Sequence, residues 1–403
     1  MGRIKRIAAK GQGRRGGRLC FSAFGVIMIP MATTTFAFAG GGTGGHIYPG
    51  LAVADELRAL ARAQGRDIRI IWLGNSGGMD RELVEKSGSV DAFYGVPSGK
   101  LRRNVSLRNV LDVFKVMAGV LVSLRRLAKI RPALLFSKGG FVSVTPCIAA
   151  RILRIPVYTH ECDVTPGLAT RINSRFADKI MVSYEATRAF LPAARREKCV
   201  VTGNPVRPAF YAADAERGRR FLFGDGRPLR PVLLVMGGSL GAHQLNMLVR
   251  DNLDWLCDHF TVVHQTGKAD EAMTQVRHEG YYPYAFIYAE LCDVVAASDV
   301  VLSRAGANVL WECAALAKPM VLVPLCGSGT RGDQVDNAAF FVERNAALML
   351  LGAEADGAHL KDALSQMERA EFRADCARAC GALSAGRRPA QEIARIIFDG
   401  VAS

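Results

Sequence analysis

The sequence predicts an α/β fold of two doubly wound, Rossmann-like domains separated by a cleft, and three observations carry that prediction. Short apolar runs alternate with amphipathic stretches along the chain, as parallel strands joined by crossover helices require. Two glycine-rich loops, residues 40–45 (GGGTGG) and 237–241 (GGSLG), each follow directly on one of those runs. Between the two halves lies residues 207–230, rich in Arg, Gly and Pro and without a strand pattern. With 403 residues, half of them apolar, the chain is long enough for two full cores.

In the first half the candidate strands are residues 35–39, 68–73, 133–137, 157–160, 179–183 and 199–202. Between the first two, Leu51, Ala54, Leu57 and Ala61 recur at helical spacing, which predicts a helix over 48–64 with Pro49 in its first turn and Gly65 as its stop. The pattern restarts with strands at 232–236, 261–264, 286–288, 300–303 and 320–324, a helix from about His243 and another over 308–317. The domains expected are 32–206 and 231–385, with 207–230 between them and 386–403 as a final helical segment. Ligands of such sheets bind beyond the carboxyl ends of the strands, so both glycine loops are expected to face the cleft.

Residues 1–31 are read as a basic extension preceding the fold, from a start placed upstream of Met28 or Met31. The uncharged run 19–39 resembles a signal peptide or anchor, but its second half is the first core strand, so cleavage there would remove part of the fold. Pro30 and the three threonines 33–35 also argue against a spanning helix.

The formal net charge of +15 comes from two patches. Residues 1–30 hold seven basic side chains and no acid, and residues 100–131 hold nine against Asp112 alone. An acidic partner follows: nucleic acid, an anionic membrane or a phosphorylated substrate. Over 107–127, apolar Leu107, Val110, Leu111, Phe114, Met117, Ala118 and Leu121 recur at roughly helical spacing, flanked by Lys100, Arg102, Arg103, Arg125, Arg126 and Lys129. This reads either as a docking face for anionic lipid or as a buried helix with solvated ends. The ten cysteines show no CxxC spacing, and neither a disulfide framework nor a metal site is expected.

The first loop formally satisfies GxGxxG, which lets backbone N–H groups approach a phosphate. No acid ends the second strand at Leu73-Gly74-Asn75-Ser76, so a nicotinamide site is disfavoured, and no Gly-Lys-Ser/Thr follows either loop to make an ATPase. His46 closes the loop, as general base or as packing residue. Ser239 places a hydroxyl in the second loop, a phosphate cradle or a plain turn. Glu161 and Asp163 follow a strand, as base and hydroxyl ligands or as solvated Glu and capping Asp. Glu312 offers a carboxylate for two ribose hydroxyls. Asp333, Gln334 and Asn337 suit sugar hydroxyls.

Eight motifs in order then resemble the MurG family of peptidoglycan N-acetylglucosaminyltransferases: residues 41–50 (GGTGGHIYPG), 137–143 (SKGGFVS), His160-Glu161, 203–207 (GNPVR), 237–242 (GGSLGA), 264–267 (HQTG), 303–306 (SRAG), and Asp333-Gln334 with Asn337. The resemblance implies the GT-B fold and inverting transfer of GlcNAc from UDP-GlcNAc to the C4 hydroxyl of MurNAc-pentapeptide-diphospho-undecaprenol (lipid I), giving lipid II. It implies an acceptor and membrane-side domain at 32–206, a UDP-GlcNAc domain at 231–385 and a last helix returning to the first domain. It places Thr43, Gly44 and Gly45 beside the donor, Arg207 and Ser239 on its diphosphate, Glu312 on the ribose, Ile287 or Tyr288 on uracil, and Gln334 on the sugar. His46 is its candidate base, with Glu161 a second catalytic candidate and Asp163 a substrate contact. No tightly bound cofactor is implied, a divalent cation at most stimulating. Nucleic acid drops out as a partner. The expected partners are UDP-GlcNAc, lipid I, an anionic membrane at the cytoplasmic face of the inner membrane, and cell-wall synthesis and division proteins. Two departures stand out: where the family commonly has Glu-Gln-Asn this chain has Glu161, Cys162 and Asp163, and the usual Arg-Ser-Gly is Arg304, Ala305 and Gly306. Rival readings are a UDP-GlcNAc 2-epimerase on the same fold, and a membrane scaffold with an inactive nucleotide site.

Overall fold

The computed structural model describes residues 33–99, 107–228, 230–238, 241–267, 270–327 and 330–402, with backbone alone for 107–111, 271 and 402. The N-terminal extension, Lys100 to Ser106 and Ser239 lie outside the described residues. Among the described residues the first sheet has seven strands: Thr34–Gly40 (β1), Ile68–Asn75 (β2), Ala92–Val96 (β3), Leu134–Gly139 (β4), Val157–Glu161 (β5), Lys179–Val182 (β6) and Cys199–Val201 (β7). Their order is β3-β2-β1-β4-β5-β6-β7, and every pairing is parallel. The second sheet holds Val232–Met236 (β8), Thr261–Gln265 (β9), Tyr281–Tyr284 (β10), Val300–Ser303 (β11), Met320–Leu322 (β12) and Ala347–Met349 (β13), in the parallel order β10-β9-β8-β11-β12-β13.

Strand order reverses between β1 and β4 in the first sheet and between β8 and β11 in the second. At such switch points neighbouring loops part to opposite faces and leave a crevice, so the glycine loops after β1 and β8 sit where a ligand fits. The period of two sorts β1 cleanly: Phe36 and Phe38 join one core layer and Ala37 and Ala39 the other. Burial on both faces is why these strands are near-continuous apolar runs.

Three sequence expectations are corrected. The strand expected at 286–288 is instead β10, because the Ile287 N–H is taken by the Gln265 side chain rather than by a ladder partner. Pro283 is tolerated in β10 because that strand is at the sheet edge. The helix expected from residue 48 spans Gly44–Ala63, so Pro49 lies inside it rather than in its first turn. Residues 207–230 are no bare linker: helices Pro208–Tyr211 and Ala215–Phe223 form there, the second capped by Asp214, and Phe210 and Leu222 enter a core with β8. Helix Pro389–Ala402 buries Ile393, Ile397 and Phe398 among Phe36, Phe38 and Trp72 of the first domain, tying the end of the chain to its beginning.

Helix Leu107–Ile130 inverts the usual amphipathic arrangement. Phe114, Met117 and Leu121 are 63%, 57% and 66% exposed, while Asp112, Gly119, Ser123 and Leu127 turn inward. Small residues face the domain because the backbones approach closely: a Cβ on Gly119 would lie 2.3 Å from the Pro97 carbonyl oxygen. Of the two readings of this stretch, the outward apolar face is the one present. The side chains of Leu107, Val110 and Leu111 are outside the described residues. Among the described residues, no helix is long and apolar enough to cross a membrane.

Candidate active site

The first glycine loop is held from below. Buried Asp80 accepts from the Gly42 N–H with both oxygens, at 3.0 and 3.1 Å, and from the Asn75 N–H at 2.8 Å. Helix Gly44–Ala63 therefore starts in a fixed place, its N-terminal N–H groups facing the cleft with no acid in the first turn. Pro49 lacks the N–H that the Gly45 carbonyl would receive four residues back. That carbonyl accepts instead from Asn308 Nδ2 of the second domain, at 3.2 Å.

His46 is boxed in by the loop after β4. Gly140 has φ +76°, and a Cβ there would lie 2.6 Å from the Gly41 oxygen and 2.9 Å from His46 Cδ2, so glycine is required by both conformation and space. Beneath lies Lys138, 1% exposed, whose Nζ has no partner among the described residues. The same holds of buried His46 Nδ1. Burial first, and the Lys138 charge second, pull the His46 pKa down to about 4. Its imidazole is neutral at physiological pH, the protonation state a general base needs.

His160, which bonds the Gly203 carbonyl at 2.9 Å, is held well below 6.5 by burial and Lys138. Burial likewise takes His264, between Tyr281 Oη and Asn246 Oδ1, down to about 4. With folded values depressed, the unfolded chain binds more protons between pH 6.5 and 4. Stability is therefore full above pH 6.5 and falls as pH falls, by up to roughly 1.4 kcal/mol per pH unit for each imidazole. Urea unfolding at pH 7, 6 and 5 is expected to show this, and His264→Asn to shallow the slope; a slope unchanged in that variant refutes the assignment.

Beyond β5 the chain reaches across the cleft. Glu161, expected as a catalytic candidate, is 4% exposed and committed to the backbone: Oε1 accepts from the Cys162 and Asp163 N–H groups and Oε2 from the Gly167 N–H, at 2.9–3.1 Å. It shapes the loop and does not line the cavity, which corrects both its catalytic and its solvated readings. Asp163 does line it, accepting from Asn337 Nδ2 at 3.0 Å and Arg331 Nη2 at 3.2 Å. The Val164 N–H donates to Asn337 Oδ1 at 3.0 Å, and Thr165 Oγ1 to Asp336. Among the described residues, Glu161, Cys162 and Asp163 are the one group with ligand atoms clustered as a metal would need, within 4.8 Å. Their carboxylates are already spent on N–H donors, and burial pushes the Cys162 thiol up, away from the thiolate a metal requires.

On the second domain, Arg207 Nε donates to Glu312 Oε1 at 2.9 Å. Burial raises the Glu312 pKa and Arg207 opposes the rise. Gln334 Oε1 accepts from the Leu325 N–H at 2.9 Å, which orients its amide NH2 group away from that bond. Ile287 is buried with its N–H on Gln265 Oε1, and Tyr288 beside it is exposed. Gly241, at φ +81°, brings the second loop against β9: a Cβ there would lie 2.4 Å from the Thr266 oxygen.

These groups enclose one cavity of about 690 Å³. Thr43, Gly44, Gly45, His46, Asp163, Arg207, Ile287, Glu312 and Gln334, all named from sequence, line it together. Arg331, Asn308 and Tyr48 also line it and were not foreseen; nor were Asp80 and Lys138 behind the loop. An arginine beside Asp333 in a polar loop was visible, but nothing in the sequence showed which way it faces.

Known proteins resemble the chain at three levels. Residues 36–182 match the glycosyltransferase family 28 N-terminal domain and residues 232–384 the glycosyltransferase family 28 C-terminal domain. A Treponema denticola protein described as UDP-N-acetylglucosamine–N-acetylmuramyl-(pentapeptide) pyrophosphoryl-undecaprenol N-acetylglucosamine transferase is 51% identical over 334 residues, covering 79% of this chain and 84% of its own. A Staphylococcus aureus protein so described is 41% identical over 341 residues, covering 84% and 92%. Among solved structures, Acinetobacter baumannii MurG superposes with a TM-score of 0.68 at 23% identity over 91% of this chain and 99% of its own. A Neisseria meningitidis UDP-GlcNAc 2-epimerase reaches 0.64 at 12% identity over 91% and 100%, a likeness of fold alone.

Proposed function

The chain belongs to glycosyltransferase family 28, and from that membership we propose that it transfers GlcNAc from UDP-GlcNAc to lipid I, with inversion, to give lipid II. The observation that supports this reading most is a single cavity lined by both a neutral histidine on one domain and an arginine–carboxylate pair on the other. Glu312 turns to the ribose hydroxyls and Arg207 to the donor diphosphate, with the Gly238 loop beside it. Thr43, Gly44 and Gly45 border the sugar, Gln334 offers its amide to the sugar hydroxyls, and the Ile287 carbonyl meets uracil.

His46 takes the proton of the muramyl C4 hydroxyl as that oxygen attacks the anomeric carbon from the face opposite the leaving group. The C–O bond to the diphosphate breaks, and the electron pair leaves with UDP. Loop N–H groups and Arg207 stabilise that charge. Asp163 and Arg331 stand close enough to act electrostatically on His46, the first favouring its protonated form and the second opposing it. No metal is needed for this sequence of steps.

Incubating the protein with labelled UDP-GlcNAc and a lipid I analogue tests the reading. A labelled disaccharide lipid is expected, whereas conversion of UDP-GlcNAc alone to an epimer would replace it by the epimerase.

The outward face of helix Leu107–Ile130, Phe114, Met117 and Leu121 beside Arg125, Arg126 and Lys129, docks the enzyme peripherally on the anionic cytoplasmic face of the inner membrane, where a polyprenyl acceptor resides. There it serves cell-wall growth, shape and division. Exchanging Phe114, Met117 and Leu121 together for serine is expected to cut binding to anionic liposomes at least tenfold while a short-chain acceptor is still glycosylated. Unchanged liposome binding would move the docking surface elsewhere.

A further inference from the structure

The transfer just described brings two diphosphates into one cleft, that of the nucleotide sugar and that of the polyprenyl acceptor. Among the described residues the cleft lining holds two arginines, and each is held by carboxylate. Arg207 pairs with Glu312 on the second domain, next to the groups that suit a nucleoside. Arg331 is placed differently. Its Nη2 bridges Asp163 of the first domain at 3.2 Å and Asp333 of the second at 3.0 Å, and its Nη1 lies so near Gly167 that a Cβ there would come within 2.6 Å. Gly167 and Asp163 both belong to the first domain, which also carries the exposed apolar helix.

We propose that Arg331 is the residue that grips the acceptor's diphosphate, and that Asp163 holds its guanidinium in readiness until that diphosphate arrives. This rests on the transferase reading above. A guanidinium presents five N–H donors in a planar fork matched to phosphate oxygens, and both ion pairs here use the same nitrogen. A diphosphate offers more charge and more acceptor oxygens than one carboxylate, so it displaces Asp163 from the fork. Asp163 is not stranded by the exchange, because Asn337 Nδ2 continues to donate to its other oxygen. Burial, then Glu161, push its pKa up. The carboxylate at the position where the family resemblance implies an amide thus acquires a function: it keeps a cleft-lining cation occupied when no acceptor is bound.

Steady-state kinetics with UDP-GlcNAc and a short-chain lipid I analogue, each varied at saturating levels of the other, test the proposal. Arg331→Gln is expected to raise the acceptor KM ten- to a hundredfold and leave the UDP-GlcNAc KM within about threefold, with Arg331→Lys intermediate. Inhibition by a soluble prenyl diphosphate should weaken in parallel. Asp163→Asn, which keeps a bond to Asn337 but surrenders the ion pair, is expected to lower the acceptor KM. If Arg331 merely fastens the domains together, Asp163→Asn will instead copy Arg331→Gln, and that result overturns the proposal. So does an Arg331→Gln effect that falls equally on both substrates or on UDP-GlcNAc alone. Wild-type protein that makes no disaccharide lipid from UDP-GlcNAc and the lipid I analogue refutes the transferase reading itself, a failure distinct from any shift among variants.

Discussion

Replacing Glu312 with alanine is expected to weaken UDP-GlcNAc binding by roughly 10- to 150-fold, the loss of charge-assisted hydrogen bonds of about 1.5–3 kcal/mol. The reason is geometric. Glu312 stands at the cavity wall on helix Ala307–Ala315, mostly buried, and Arg207 is its one polar partner among the hydrogen bonds of the described residues. One carboxylate oxygen is thereby fixed and the other directed to a ligand, so two vicinal hydroxyls find a preset acceptor at little ordering cost. Glu312→Gln keeps one acceptor oxygen and should lose less. Titration calorimetry with UDP-GlcNAc measures both, and an unchanged dissociation constant for Glu312→Ala would take this residue out of the nucleotide site.

The second large effect falls on turnover. His46→Ala is expected to lower kcat by about 10²- to 10⁴-fold, the usual contribution of a positioned base, with UDP-GlcNAc affinity changed by no more than a few fold. Because burial holds the free-enzyme imidazole near pH 4, the acid limb that His46 imposes on kcat/KM should be centred there and not at 6.5. Loss of donor affinity with kcat intact would make His46 a binding residue instead of the base.

The architecture was legible wherever residues repeat with the period of their own element. Phe36 and Phe38 against Ala37 and Ala39 announce a strand buried on both faces, and Leu51, Ala54 and Leu57 announce the helix that follows. Of the four edge strands only β7 was legible in that way. β3 is only half-buried, β10 contains a proline, and β13 takes just three residues from the apolar run 346–351, too short a piece to show the period of a strand. The motif residues of the cavity were recognisable one at a time, but their partnerships were not, since Arg207 and Glu312 are 105 positions apart and Asp163 and Asn337 are 174. Helix Leu107–Ile130 shows the same limit in reverse: its spacing gives an apolar stripe, yet only the close approach of Gly119 to Pro97 decides that the stripe faces outward.

Pro49 gives the enzyme a loose stitch between its lobes. The Gly45 oxygen it leaves unclaimed is satisfied by Asn308 of the other lobe, and water would satisfy it equally were the lobes to part. Swapping one acceptor arrangement for the other costs about 0.5–1.5 kcal/mol, an amount thermal motion supplies readily. At this point the two lobes are joined by a single hydrogen bond that solvent could replace, so the contact itself would put little resistance in the way of a sugar nucleotide entering or UDP leaving. An alanine in place of Pro49 would give the oxygen a helical donor of its own, so that the Asn308 amide would become its second donor and no longer the first.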